Sequence, residues 1–182
     1  RSPSADLIGG QPFRFSEDRP KRIALITGEN EYNTVETLGA FAKKELAWRG
    51  YEIVSVAASP KEGDTEFQNY QAIADADLLV ISVRRRTPPK PMMDLIRRHV
   101  EAGKPVLGIR TASHAWDAPP KDAAHDSWPL FDDEILGADY QGHYGNKPPK
   151  DPLTVVTKAS AAANHPVLTG LERAEFKVTS HL

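Results

Sequence analysis

The chain has 182 residues, with 23 Lys and Arg against 25 Asp and Glu. A formal net charge of −2 gives no whole-molecule field that would draw it to nucleic acid or to an anionic membrane. No apolar run approaches the roughly 20 residues that a membrane-spanning helix needs, and the absence of cysteine excludes disulfides, thiolate metal sites and cysteine nucleophiles together.

The length fits one domain, and the 40% apolar content is enough for a sizeable core. A cysteine-free chain leaves the compartment open. The first residue is Arg rather than Met, so the expectation is a start upstream, with a leader or tether removed or the chain trimmed; export fits this. Residues 1–20 are rich in Pro, Gly, Ser and charge without periodicity, and are expected to form an extended arm on a domain spanning 21–182.

Residues 22–27 (RIALIT) form a short apolar run ending at Gly28, the pattern of a buried parallel strand. Residues 34–49 then carry Val35, Leu38, Phe41, Ala42 and Leu46 at helical spacing, with Gly50 where a helix ends. A second strand is expected at 51–57, a short helical stretch at 69–74 and a third strand at 77–83 (DLLVISV). A helix over 91–102 opens on Pro91 and closes at Gly103, before a fourth strand at 105–109 (PVLGI). Strand and helix alternate four times over short connections. That predicts an α/β, three-layer sandwich with a mainly parallel sheet covered on both faces. Beyond it, 117–126 reads as a loop and 128–136 as carrying a short helix. Strands are expected at 152–156 and 176–179, and the end, 177–182, reads as a strand or turn cut short.

In open α/β sheets ligands bind beyond the carboxyl ends of the strands, where helix N-termini favour negative charge. Glu29 follows the first strand; Arg84, Arg85 and Arg86 follow the third; Arg110, Thr111, Ser113 and His114 follow the fourth. Three arginines near Arg110 suit an anion or polyol clamp, for which Arg84 and Arg110 lie closest to the strand ends; a solvated loop is the rival reading. Glu29 reads as a general base, a hydroxyl acceptor or an arginine partner. His114 reads as a ligand contact or general acid or base, or else as a packed histidine starting a helix. His143 lies in Gln141-Gly142-His143-Tyr144, where glycine lets backbone approach a ligand, and His165 before Pro166 reads as stabilising a turn. His114, His143 and His165 are separated by 28 and 21 intervening residues, so their spacing gives no zinc signature and no metal is expected. Asp132, Asp133 and Glu134 read as a solvated helix start, and Trp116 and Trp128 as core or lid residues.

The segment 105–114 (PVLGIRTASH) runs from a strand into a tight turn, the layout of a nucleophile elbow. It resembles class I glutamine amidotransferases, with Arg110 at the cysteine position. A guanidinium is always charged and cannot attack a carbonyl, so the resemblance supports a flavodoxin-like fold and excludes cysteine-dependent glutaminase chemistry. Thr111 and Ser113 are the remaining hydroxyls there. The segments GIRTASHAW (108–116), WPLFDDEILGADYQGHYG (128–145) and NHPVLTGL (164–171), in that order, are similar to the trehalose-utilisation or ThuA-like family of the same superfamily. Where that family often shows Gly-Gly-His, this chain has Gly28-Glu29-Asn30.

The resemblance implies a protein of carbohydrate metabolism that binds or converts a sugar or sugar derivative, with no cofactor and with self-association left open. As an enzyme it would use Glu29, His114 or His143 for proton transfer, and Arg84, Arg110, Thr111, Ser113 and Tyr144 to hold the ligand. The rival is a non-catalytic binding or protein-interaction module on the same scaffold.

Overall fold

The computed structural model describes residues 19–59, 61, 64–142, 153–162, 165–171, 173 and 175–179. The chain divides into two compact units, Pro12–Tyr140 and a second made of Gln141–Leu182 with Arg1–Gln11. Most of the expected arm, together with His143, Tyr144 and 180–182, lies outside the described residues.

The larger unit is built on a four-stranded parallel sheet of order β2-β1-β3-β4. The strands are β1 (Arg22–Gly28), β2 (Glu52–Ala57), β3 (Leu78–Val83) and β4 (Val106–Gly108). β1 is central because its run of Ile23, Ala24, Leu25 and Ile26 is apolar at every position and buried on both faces. Successive side chains point to opposite faces. Ala24 and Ile26 therefore join Leu79, Ile81, Met92, Ile96, Trp116 and Phe131 on one side. Ile23 and Leu25 meet Ala42, Val80, Leu38 and Leu46 on the other. Helix α1 (Thr34–Phe41) and its continuation supply the second set and helix α2 (Lys90–Glu101) the first. The outcome is a flavodoxin-like three-layer α/β sandwich, as the sequence predicts.

The first helix departs from expectation. After α1 comes a π-helical turn, Ala42–Leu46, then a 3₁₀ turn, Ala47–Arg49, before Gly50 at φ 94. A π turn holds an extra residue and rotates the residues after it around the helix axis. Val35 and Phe41, ahead of the π turn, are exposed, while Glu45 and Arg49 are buried as a pair, Nη1 to Oε2 3.5 Å, with Nη1 also donating to the Glu45 carbonyl at 2.5 Å.

In the smaller unit, β5 (Leu153–Thr157) pairs antiparallel with β6 (Glu175–Thr179). His165 accepts from Val167 N at 3.2 Å through Nδ1, opening the 3₁₀ turn Pro166–Leu168. No helix among the described residues is long and apolar enough to cross a membrane.

At the floor of the sheet, Asp77 binds Arg19 at 2.8 Å and accepts from Arg22 N, and its pKa falls to about 2, with the Arg19 hydrogen bond as the leading cause. His99, 4% exposed, sits 3.0 Å from the Pro105 carbonyl through Nε2, and its buried Nδ1 has no partner among the described residues. Burial first, then the nearby Lys104, lowers its pKa against the raising effects of Pro105 and Asp77. A folded-state histidine below its unfolded value binds fewer protons than the unfolded chain, so its contribution is present at neutral pH and lost as pH falls below about 6.5. We expect His99→Gln, which keeps a donor for Pro105, to lose less stability than the parent between pH 7 and pH 5.5. Urea midpoints at the two pH values measure this; equal losses in both proteins would exclude His99 as a source of acid sensitivity.

Candidate functional site

The strands that end at the site lie side by side. Thr27 pairs with Ser82 and Gly28 with Val83, while Ile81 pairs with Gly108. The loops after β1, β3 and β4 therefore open at one end of the sheet.

After β1 the chain must turn into α1, and Glu29 organises that turn. Only 3% exposed, its carboxylate accepts from Glu31 N (2.6 Å), Tyr32 N (2.7 Å), Thr34 N (2.7 Å) and Thr34 Oγ1 (2.5 Å). Burial raises its pKa, but those bonds, led by the Thr34 side chain, outweigh it and hold the carboxyl below its ordinary value of 4.5. Ser82 Oγ extends the network by donating to Thr34 Oγ1 at 3.0 Å. Glu29 is thus an ionised loop anchor with both oxygens engaged, a poor geometry for a general base.

After β3 the three arginines point three ways. Arg84 Nε lies 3.4 Å from Glu31 Oε2, and Arg85 Nε 3.7 Å from Asp117 Oδ2. Arg86 turns inward, 3% exposed, where its guanidinium donates to the carbonyls of Gly28 (3.1 Å), Ser59 (3.3 Å), Lys61 (2.6 Å) and Asp64 (2.9 Å) and to Asn30 Oδ1 (3.2 Å). The backbone joins in: Arg84 N donates to Gly28 O, Arg85 N to His114 O and Arg86 N to Ala115 O.

After β4 comes the tight turn that the sequence suggests. Ile109 is extended and Arg110 takes the left-handed region at φ 52, a strained setting for a residue with a side chain. A short 3₁₀ turn, Arg110–His114, follows, so His114 closes a turn rather than starting a helix. Gly108 makes room for it: a Cβ there would lie 2.7 Å from Leu136 Cδ1 and 3.2 Å from Ala112 Cβ. The Arg110 guanidinium carbon lies 3.6 Å from the centre of the Tyr32 ring, a cation–π contact. Arg84 and Arg110 thus both contact the β1–α1 loop, at Glu31 and Tyr32, rather than converging as a clamp. Thr111 is buried, and its Oγ1 has no hydrogen-bond partner among the described residues.

Ser113 and His114 face a small cavity of about 230 Å³ together with Asp117, Leu130, Asp132 and Tyr140, among others. Ser113 Oγ is 3.0 Å from His114 Nδ1, and the His114 ring stacks on Tyr140, centroids 4.7 Å apart at 28°. Burial is the largest influence on His114 and lowers its pKa; Asp117 and Glu31 raise it, while Arg85 and Arg84 lower it. The net fall from 6.5 leaves a neutral imidazole at pH 7, able to take or relay a proton.

The far wall is what the sequence misses. Phe131, 1% exposed, anchors the π turn Asp132–Leu136, and Gly137 at φ 68 turns the chain back. Asp132 then accepts from Tyr140 N at 2.8 Å, which places Tyr140 against His114. Asp132 is 7% exposed, not a solvated helix start. Trp116 is fully buried core, and Trp128 packs partly buried against it. Among the described residues no group of three His, Asp or Glu is placed to hold a metal ion.

Removing Arg86 would take the guanidinium from five oxygen acceptors, of which the Gly28 carbonyl keeps Arg84 N. We expect Arg86→Lys, which keeps the charge but loses the planar fork, to destabilise by roughly 2–4 kcal/mol in urea unfolding; a loss under about 1 kcal/mol would make the cage dispensable. Gly108→Ala should cost about 1–3 kcal/mol through overpacking and recover in part when combined with Leu136→Ala. Equal stabilities of the single and double variants would break that account.

No protein-family model matches the chain, and no curated protein matches it. A solved structure of a ThuA-like protein from Bacteroides uniformis ATCC 8492 does match, at 19% identity and a TM-score of 0.54, over 93% of this chain. The chain spans 62% of that protein's length. At this identity the likeness shows a shared fold.

Proposed function

We propose that the domain binds a sugar or sugar derivative in the cavity beyond β4, as a ThuA-like protein of carbohydrate metabolism, with His114 as the group that moves a proton if the ligand is converted. The observation that carries this reading is His114 itself: half-buried, neutral at pH 7, backed by Ser113 and stacked on Tyr140 in a cleft at the carboxyl ends of parallel strands. The fold shared with a ThuA-like protein supports it. Ser113 orients the imidazole, and the remaining wall offers acceptors for ligand hydroxyls. Arg84 and Arg110 act through the loop that they grip, and Thr111 lies beneath the turn.

One observation favours binding without conversion, the non-catalytic reading. The carboxylate of Glu29 is held by four hydrogen bonds, which removes the proton-transfer partner that an acid–base pair with His114 would call on.

A thermal-shift screen of sugars, keto-sugars and sugar acids tests the site. At a ligand concentration of about 100 Kd the gain is about 2.7 kcal/mol, a rise in Tm of several degrees. We expect one ligand class to give it and His114→Gln to weaken binding at least about tenfold, roughly 1.4 kcal/mol. Product formation by the parent that His114→Gln abolishes would establish conversion, and unchanged ligand would favour the binding module. No response to any ligand would sink the sugar reading.

A further inference from the structure

Ser113 is a hydroxyl with a base beside it. Its Oγ lies 3.0 Å from His114 Nδ1, and among the described residues it makes no second hydrogen bond. A serine in a helical turn ordinarily gives its proton to a carbonyl three or four residues back; this one is committed to the imidazole. Both residues are half-buried, line the same cavity and stand in the turn that the left-handed Arg110 opens. We infer that Ser113 is a nucleophile with His114 as its general base, and that the site hydrolyses a carboxylic ester through an acyl-serine. The nucleophile rests on this pair alone; the choice of an acylated sugar as substrate rests on the proposed sugar site.

A serine hydroxyl is a weak nucleophile until an adjacent base takes its proton. His114 is neutral at pH 7 and able to do so. With the ring proton on Nε2, Nδ1 accepts the Oγ proton as Oγ bonds to the ester carbonyl carbon. The tetrahedral oxyanion collapses, the C–O bond to the sugar breaks, and Nδ1–H protonates the departing sugar oxygen. Water then attacks the acyl-serine by the same route: Nδ1 takes its proton, Oγ leaves with that proton, and a carboxylic acid is released. The imidazolium formed in each half is favoured by Asp117, which lines the cavity, pairs with Arg85 at 3.7 Å and is the first of the charges acting on His114. No acid–base pair with Glu29 is needed, so the anchoring of that carboxylate does not stand against turnover.

The full chain would be given p-nitrophenyl acetate, which needs no sugar site, glucose pentaacetate, and an alkyl fluorophosphonate that stops at the covalent serine adduct. We expect acetate release from both esters and the phosphonyl group on Ser113 by peptide mass mapping. Ser113→Ala should abolish all three, and His114→Gln, which keeps the hydroxyl, should slow them at least about a hundredfold. Because the chain has no cysteine, Ser113→Cys adds a lone thiol. Iodoacetamide should alkylate it at pH 7 at least about tenfold faster than in the double variant with His114→Gln. Hydrolysis that survives Ser113→Ala, no adduct on Ser113, or a thiol equally reactive with and without His114 would overturn the nucleophile. Release from the aryl ester alone would strike the sugar as leaving group. Sugar binding in the thermal-shift screen without any acyl transfer would sink this inference while the sugar site stands.

Discussion

Arg86 holds together everything that meets at the carboxyl edge of the sheet. Its guanidinium gathers acceptors from the β1 loop and from the segment after β2, and its backbone N–H reaches the segment after β4. A buried cation without acceptors would be intolerable, so those loops have one arrangement in which it is satisfied. Glu29 performs the complementary task one loop away, a buried anion satisfied by donors from the chain it turns. The pair of opposite buried charges, each caged by backbone, fixes where Arg84, Arg110 and His114 can be.

Ion pairs join other charges at this edge, Arg84 to Glu31 at 3.4 Å and Arg85 to Asp117 at 3.7 Å. The imidazole of His114 is sensitive to charges of both signs, through the opposing effects of Arg84, Arg85, Asp117 and Glu31. Its protonation state is set first by burial and then by neighbours on three loops.

How legible all this is in the sequence differs from element to element. The strands read well because a strand buried on both faces is a near-continuous apolar run, as 23–26 and 78–81 are. The elbow reads from Gly-Ile before a turn, and the φ of Arg110 agrees. The end of the first helix does not read, because Glu45 and Arg49, four residues apart, look like an ordinary solvated pair until a π turn swings them inward. Arg86 is chemically identical to Arg84 and Arg85, and only the carbonyls contributed from Ser59, Lys61 and Asp64 single it out. Asp132 hides in a run of acids; its burial comes from Phe131 and from the reversal at Gly137, neither of which has a periodic signature.

The brevity of β4 has a bearing on how molecules of this protein meet one another. Only Val106–Gly108 form it, at the border of the sheet, with Leu107 half exposed. A long, flat, apolar border invites a second chain to add its own strand and so begin a fibre. Three residues leave few free backbone groups for such a guest, and the elbow ends the run where Arg110 swings into the left-handed region. The turn that shapes the cleft therefore also blunts one edge of this sheet.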